Sequence, residues 1–258
     1  MQEGADIVTL QDIDLQVVRR GSGPPLLLLH GGGGPQHHLP FFQQLTAHFD
    51  VIAPIHPGFA GSAIPEHFDG MDDLIYLHLD LMDALDLHDV IVVGMSMGGW
   101  AAAEIAVRNT SRMAKLILVD AVGVKTGGRD SREIADVFGL PQDEVTRLLF
   151  HDPANAPDPA TLTDEQMVEI AANRIALAMY TWEPYMHNPK LRYRLHRIQV
   201  PTLLIWGESD GLVPVAYAEA YRDLIPGAEL VVIPNAGHAP QAEQPDLFCH
   251  HVYQFAAK

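Results

Sequence analysis

Residues 90–99 read Val-Ile-Val-Val-Gly-Met-Ser-Met-Gly-Gly, and this stretch decides how the chain folds. The apolar run Val90–Val93 predicts a buried strand, and the residues after the glycines predict a helix. Gly94 and Gly98 stand two residues to either side of Ser96, where larger side chains would collide across a sharp turn. In a strand–turn–helix context, this G-x-S-x-G pattern predicts a strained turn that exposes the serine hydroxyl at the carboxyl edge of a sheet.

Short, continuously apolar runs recur on both sides of this turn, which is typical of strands buried on both faces. They are Leu26–Leu29, Val51–Pro54, Leu116–Val119, Thr202–Trp206 and Leu230–Ile233. Segments between them have helical periodicity, for example Asp72–Leu87 and Val215–Ile225. This alternation predicts an α/β fold with a doubly wound, mostly parallel central sheet flanked by helices. The alternating segment Ile7–Arg20 predicts an antiparallel hairpin at the sheet edge.

The regular alternation stops between about Gly123 and Gln199. This part contains a proline-rich loop at 152–159 and at least three helix-like segments, one of which is expected to begin at Thr163. Because we find no convincing strand signal there, we interpret it as a helical insertion. The predicted domains are therefore a core formed by residues 1–122 and 199–258 and a helical cap formed by residues 123–198.

Composition excludes several classes of partner. The 258 residues include 16 Lys and Arg against 33 Asp and Glu, a formal charge of −17 that disfavours nucleic acid and anionic membranes. There is neither an apolar run long enough to span a membrane nor a signal-peptide pattern at residues 1–6, so we expect a cytoplasmic protein. Cys249 has no second cysteine to pair with and is expected to pack in the core. The histidines form no H-E-x-x-H motif, so we predict no metal and no cofactor.

Two polar residues could activate Ser96 as a nucleophile. Asp210 and His238 each follow a predicted strand, at the sheet edge where active sites of open α/β sheets collect. A serine hydroxyl becomes a good nucleophile when a base removes its proton, and a carboxylate orients that base. Asp120 also follows a predicted strand and is an alternative carboxylate.

The sequence resembles the α/β-hydrolase superfamily over nearly its whole length, in the serine turn, the loop His30–Gly32 and the chain order serine, aspartate, histidine. Within that superfamily it resembles serine hydrolases of the carboxylesterase kind with a helical cap. The resemblance implies Ser96 as the nucleophile, His238 as the base and then the acid, and Asp210 as the orienting carboxylate. Some members take the acid from the position of Asp120, but the surroundings of Asp210 match the commoner pattern.

The resemblance also implies an oxyanion hole made of backbone N–H groups. Met97 follows the nucleophile and supplies the first donor. The second comes from the glycine run after His30, where Gly32 is preferred and Gly33 is the alternative. We interpret His30 itself as a structural residue that holds the glycine loop.

The expected substrate is a small-molecule carboxylic ester of small or medium apolar character. Carbon–carbon bond hydrolases of ring-cleavage pathways share the Ser-Met-Gly turn but usually carry tryptophan after the catalytic histidine, where this chain has Ala239. They remain the alternative, together with lactonases and a non-enzymatic ligand receptor on the same scaffold. The candidate substrate-binding residues are Phe138, Trp182 and Tyr185.

A basic cluster, residues 190–197, stands out in this acidic chain. It either steers a carboxylate or an acidic carrier protein toward the site, or forms a solvated face that pairs with nearby acidic residues.

Overall fold

An eight-stranded sheet forms the centre of the molecule, whose computed structural model describes residues 4–128 and 130–258. The strands are β1 (Asp6–Leu10), β2 (Ile13–Gly21), β3 (Pro25–Leu29), β4 (Asp50–Pro54), β5 (Val90–Met95), β6 (Met113–Val119), β7 (Gly123–Val124), β8 (His187–Asn188), β9 (Thr202–Gly207) and β10 (Glu229–Ile233). The central sheet has the order β1-β2-β4-β3-β5-β6-β9-β10, while β7 and β8 pair separately. Strand β2 runs antiparallel to both neighbours, and the remaining pairs of the central sheet are parallel.

Helices cover both faces of this sheet. They are α1 (Pro40–Thr46), α2 (Met71–Ala84), α3 (Met97–Arg108), α4 (Gln142–Leu149), α5 (Asp164–Thr181), α6 (Val215–Leu224), α7 (Pro240–Glu243) and α8 (Pro245–Ala256). Helices α2, α3 and α6 contribute to one buried apolar cluster, and α1 and α8 contribute to the other. The predicted fold class, a doubly wound and mostly parallel sheet flanked by helices, is confirmed.

Strand β3 shows why the apolar runs are continuous. Leu27 and Leu29 belong to the cluster on the α2 and α3 side, whereas Leu26 and Leu28 belong to the cluster on the α1 and α8 side. Successive side chains of a strand point to opposite faces. A strand buried on both faces therefore needs an apolar residue at every position. At the sheet edge, β1 pairs antiparallel with β2, as the alternating N-terminal segment predicts.

The segment between β6 and β9 contains α4, α5, four short 3₁₀ helices and the two-residue strands β7 and β8. The expectation of no strand there is wrong, because Gly123 and Val124 pair in parallel with His187 and Asn188. Two residues are too few to produce an alternating pattern that sequence reasoning can detect. Helix α5 begins as predicted, since the Thr163 side chain accepts a hydrogen bond from the Gln166 N–H. The division into core and cap stays a prediction.

Two features of the structure bear on the predictions made from composition. Cys249 is buried, and this burial raises the pKa of its thiol to about 12. Among the described residues, no helix combines the length and the apolar character needed to cross a membrane.

Three buried histidines form a hydrogen-bonded chain beside the glycine loop that follows β3. The Nδ1–H of His30 donates to the Gly31 carbonyl, so its Nε2 is the acceptor for the His56 backbone N–H. The Nε2–H of His56 donates to the His30 carbonyl, which leaves its Nδ1 to accept from Nε2 of His78. These partners assign a neutral tautomer to each ring. An added proton on His30 or His56 would face a donor, and one on His78 Nδ1 would find no acceptor among the described residues. The expected structural role of His30 fits its bond to the glycine loop.

This chain of neutral imidazoles makes the protein sensitive to acid. Burial lowers the pKa of His30 to about 4 and that of His78 to about 3, and it lowers the pKa of His56 well below 6.5. Below pH 6.5 the unfolded chain protonates these rings while the folded chain does not, so acid favours unfolding. Their stabilising contribution is complete above pH 6.5 and is lost as the pH falls toward about 4 and 3.

We therefore expect the free energy of unfolding to decline between pH 6.5 and 4, with each buried histidine adding up to about 1.4 kcal/mol per pH unit to the slope. Urea titrations at several pH values measure it. His78→Leu removes one titrating ring and should flatten the slope, whereas replacing exposed His67 by leucine should leave it unchanged. An equal slope for wild type and His78→Leu would contradict this role of the cluster.

Candidate active site

Ser96 occupies the turn between β5 and α3 in a strained backbone conformation. Its φ is 51° and its ψ is −113°, a region that L-residues rarely adopt. A Cβ added at Gly94 would lie 2.4 Å from the carbonyl oxygen of Gly98, and one added at Gly98 would lie 2.3 Å from that of Leu29. Side chains therefore fit at neither position, and the two glycines permit the close packing that holds the turn.

Ser96, His238 and Asp210 meet at the carboxyl ends of β5, β10 and β9. The distance from His238 Nε2 to Ser96 Oγ is 2.9 Å, and the distance from His238 Nδ1 to Asp210 Oδ2 is 2.7 Å. With Nδ1–H donating to the carboxylate, Nε2 is free to accept the serine proton. The structure thus brings together the three residues predicted as a triad.

Hydrogen bonds hold the Asp210 carboxylate in place as an acceptor for His238. Its Oδ1 accepts hydrogen bonds from the N–H groups of Leu212, at 2.9 Å, and Val213, at 2.8 Å. The side chain is buried, and bonds from three donors stabilise its charged form. Asp120 lies close by, but Asp210 is the carboxylate bonded to Nδ1 of His238.

The loop that carries His238 is tied to the segment after α4. The His238 N–H donates to the Leu149 carbonyl at 2.7 Å. The carboxylate of Glu243 accepts from the N–H groups of Gly237, at 2.7 Å, and His151, at 3.1 Å. These bonds make it a clamp that joins the histidine loop to the segment between β6 and β9.

The residues predicted to supply the oxyanion hole follow Ser96 in the chain or line the same cavity. Met97 is the first residue of α3, and the first N–H groups of a helix have no partner within that helix. Gly32 and Gly33 line the cavity that contains Ser96 and His238. Their positions suit the predicted role of their N–H groups, which stays a prediction.

Asn173 of α5 holds the glycine loop in place. Its Nδ2 donates to the Gly33 carbonyl at 3.2 Å, and its Oδ1 accepts from the Ala60 N–H at 2.9 Å. The side chain is buried, and both ends of its amide are hydrogen-bonded. This residue was missed in the sequence.

A cavity of about 250 Å³ opens above Ser96. Its lining is mostly apolar and consists of Gly32, Gly33, Ser96, Val137, Phe138, Gln142, Val145, Leu149, Ile170, Asn173, Arg174, Leu177, Met186, Leu212 and His238. Four of these, residues 170, 173, 174 and 177, share one face of α5 at helical spacing. That spacing was the signal in the sequence that could have identified them. A larger concavity of about 620 Å³, between Ile13 and His67, contains no member of the triad.

Among known families, the chain matches the model of the alpha/beta hydrolase family over residues 26–251. The chain belongs to that family. The match spans the serine turn, Asp210 and His238, in agreement with the resemblance seen in the sequence.

Relatives of this α/β hydrolase differ in the reactions their names describe. The 2-hydroxy-6-oxononadienedioate/2-hydroxy-6-oxononatrienedioate hydrolase of Paraburkholderia xenovorans (strain LB400) is 30% identical over 197 residues, which cover 69% of this chain and 65% of that protein. The chain thus spans slightly less than two thirds of this relative. A membrane phospholipase A superposes with a TM-score of 0.83 at 25% identity, covering 98% of this chain and 85% of the other. A meta-cleavage product hydrolase has a TM-score of 0.78 at 24% identity, with 98% and 97% covered, and shows the same fold.

The three candidate substrate-binding aromatics of this α/β hydrolase occupy different positions. Phe138 lines the cavity above Ser96. Trp182 is 56% exposed and packs edge-on against Phe138, outside the lining. Tyr185 also packs against Phe138, and its hydroxyl donates to the Ala135 carbonyl and accepts from the Val137 N–H. Trp182 and Tyr185 thus pack against Phe138 and do not line this cavity, and their role as substrate-binding residues stays a prediction.

Among the described residues, one cluster of side chains that could hold a metal ion lies at the triad. One ligating atom each of Asp120, Asp210 and His238 lies within 4.8 Å of the others. Since His238 Nδ1 and Asp210 Oδ2 are bonded to each other, a cation there would have to displace that hydrogen bond.

The basic cluster, residues 190–197, lies away from Ser96. The Arg197 Nε–H donates to the Val107 carbonyl near the end of α3, whereas Ser96 precedes the first residue of that helix. Eleven helical residues separate the two points by roughly 16 Å. Arg197 therefore does not contact the site, and steering of an anion by the cluster stays a prediction.

We expect Asn173→Ala to lower the free energy of unfolding by about 1–3 kcal/mol, because it leaves the Gly33 carbonyl and the Ala60 N–H without partners. Chemical denaturation measures it. Val168→Ala on the same helix, where the side chain is 69% exposed, is the matched control and should stay within about 0.5 kcal/mol of wild type. Equal effects of the two substitutions would show that the amide does not hold the loop.

Proposed function

We propose that this α/β hydrolase transfers an acyl group to Ser96 and then to water. The observation that carries the proposal is the relay Ser96 Oγ–His238 Nε2 and His238 Nδ1–Asp210 Oδ2, at 2.9 and 2.7 Å, at the floor of the cavity. No other described arrangement in the cavity pairs a nucleophile with an oriented base.

In the first half of the reaction, Ser96 Oγ forms a bond to the substrate carbonyl carbon while its proton passes to His238 Nε2. The carbonyl oxygen becomes negative, and the N–H groups of Met97 and of Gly32 or Gly33 stabilise it. The bond to the leaving group breaks with its electron pair, and the leaving group takes the proton from His238. In the second half, water gives a proton to His238 and its oxygen bonds to the acyl carbon. The bond from that carbon to Ser96 Oγ then breaks with its electron pair, and Oγ takes the proton from His238.

For the bond that is broken, we propose the carbon–carbon bond of a vinylogous diketone that carries a carboxylate. Relatives named as 2-hydroxy-6-oxononadienedioate hydrolases, about 30% identical, support this choice. So does Arg174, an exposed residue of α5 that lines the cavity. Its guanidinium donates hydrogen bonds to the Val137 carbonyl and to the Gln142 side chain, and it lies over the Phe138 ring. Within residues 4–128 and 130–258, no carboxylate forms an ion pair with it. An arginine that lines the cavity and has no carboxylate partner suits an anionic substrate.

A carboxylic ester is the second candidate substrate, as the sequence first suggested. The mostly apolar lining and the likeness to a membrane phospholipase A support it. Both substrates use the same serine, so they differ only in the leaving group that His238 must protonate.

The bond class is tested by comparing kcat/KM for a vinylogous diketone acid with that for p-nitrophenyl butyrate under the same conditions. We expect the diketone acid to be turned over at least about tenfold more efficiently, and Ser96→Ala to lower kcat on either substrate by on the order of 10⁴. A higher kcat/KM for the ester would favour the second candidate over the first. Undiminished turnover by Ser96→Ala would overturn both.

The carboxylate preference depends on Arg174. We expect Arg174→Gln to lower kcat/KM for the diketone acid by roughly tenfold to a hundredfold, since a charged hydrogen bond is worth about 1.5–3 kcal/mol. The methyl ester of the same acid should change by less than about threefold. Arg147→Gln on α4, an exposed arginine outside the lining, is the control. Equal losses on the acid and its methyl ester would show that Arg174 does not bind the carboxylate.

A further inference from the structure

A second carboxyl group, that of Asp120, lies buried behind the triad. Asp120 directly follows β6 in the left-handed backbone region, with φ at 43°. Its N–H donates to the Ile205 carbonyl, and its Oδ1 accepts from the Gly207 N–H at 2.9 Å. The side chain is therefore fixed between β6 and β9, next to the loop that supplies Asp210.

The hydrogen bonds show which of the two carboxyl groups carries the negative charge. Asp210 accepts from three donors, namely the N–H groups of Leu212 and Val213 and the His238 imidazole. Asp120 accepts from one, the Gly207 N–H, and its buried Oδ2 receives no hydrogen bond from any residue in the described ranges. Donors stabilise an ionised carboxylate, so the charge belongs on Asp210.

The two carboxyl groups are neighbours in one buried site. One oxygen of each lies within 4.8 Å of the other, and Asp210 is the side chain to which Asp120 can hydrogen-bond. Two carboxylates in one buried site cannot both remain ionised without a large cost in free energy. A proton on Oδ2 of Asp120 removes the repulsion and gives that oxygen the partner it otherwise lacks.

We propose that Asp120 holds a proton on Oδ2 and donates it in a hydrogen bond to Asp210, which makes Asp120 a positioning residue of the triad. Its importance for turnover rests on the proposed function, whereas its protonation does not. The bond adds a restraint on Asp210 to those from the N–H groups of Leu212 and Val213. It also partly offsets the negative charge that Asp210 presents to His238.

The charged and titratable groups around Asp120 agree with this assignment. Burial raises the pKa of Asp120 well above its ordinary value, and the negative charge of Asp210 raises it further. Glu243, with its own set of N–H donors, adds negative potential from α7. His238 is the remaining titratable neighbour, and its Nδ1–H is already engaged by Asp210.

The decisive variants are Asp120→Asn and Asp120→Ala. Asparagine tolerates the left-handed region and offers an N–H in place of the proposed O–H, so kcat should stay within about threefold of wild type. Alanine offers no donor, so kcat should fall by about tenfold or more. Asp89→Ala, at an exposed aspartate with φ of 51°, controls for placing alanine in this backbone region and should leave kcat unchanged.

The pH–rate profile separates a neutral from an ionised Asp120. If it is neutral, Asp120→Asn changes no charge, and the acid limb of the profile should move by less than about half a pH unit. If it is ionised, the substitution removes a negative charge beside His238, and the acid limb would move to lower pH by about one unit or more. The second result would overturn the proposal.

Infrared spectroscopy tests the proton without any substrate. The difference spectrum of wild type minus Asp120→Asn should contain the carbonyl band of a protonated carboxylic acid near neutral pH, shifted in heavy water. A difference spectrum with only carboxylate bands would overturn the proposal, even if the enzyme proved to hydrolyse the expected substrates. So would a stoichiometric divalent cation that wild type retains and Asp120→Asn releases.

Discussion

The close contact between β5 and α3 is the constraint on which the rest of the site depends. Gly94 and Gly98 bring backbone against backbone at distances that exclude a Cβ, and Ser96 between them is held with φ at 51°. A left-handed residue costs free energy, roughly 1–3 kcal/mol, unless its surroundings enforce it. Buried strands on both sides of β5 enforce it here, and the strained turn directs Oγ out of the sheet and leaves the first N–H groups of α3 beside it.

The other functional groups reach Ser96 because parallel strands end at a common edge. Asp210 and His238 lie far from Ser96 along the chain, yet β9 and β10 are paired in register and release their loops side by side. The long segment between β6 and β9 supplies much of the cavity lining. Its residues Asn173, Arg174 and Leu149 contact the glycine loop, line the cavity or bind the histidine loop.

The strands of the sheet and the three triad residues could be predicted from the sequence. Continuous apolar runs identified the strands, because burial on both faces leaves no polar positions, and the loops after them identified Ser96, Asp210 and His238. The segment between β6 and β9 was harder. Strands of two residues leave no pattern, and aromatic character alone did not separate Phe138, which lines the cavity, from Trp182, which packs behind it. Helical spacing along α5 held the missing information, since residues 170, 173, 174 and 177 share one face.

The sequence left open whether Asp120 or Asp210 orients His238, and the hydrogen-bond partners distinguish the two. Both follow a parallel strand, so position alone does not distinguish them. The N–H groups of Leu212 and Val213 select Asp210 as the ionised member, and the neighbouring loop gives Asp120 one donor only. Polar groups of a buried site thus acquire their roles from the backbone that surrounds them.

The most direct measurement of the relay is the rate at which a fluorophosphonate labels the native protein, with the modified residue located by peptide mass mapping. One adduct is expected, on Ser96, and His238→Ala should slow its formation by on the order of 10³-fold or more because the serine loses its base. An adduct on another residue, or a labelling rate that does not depend on His238, would contradict the relay as the source of activity.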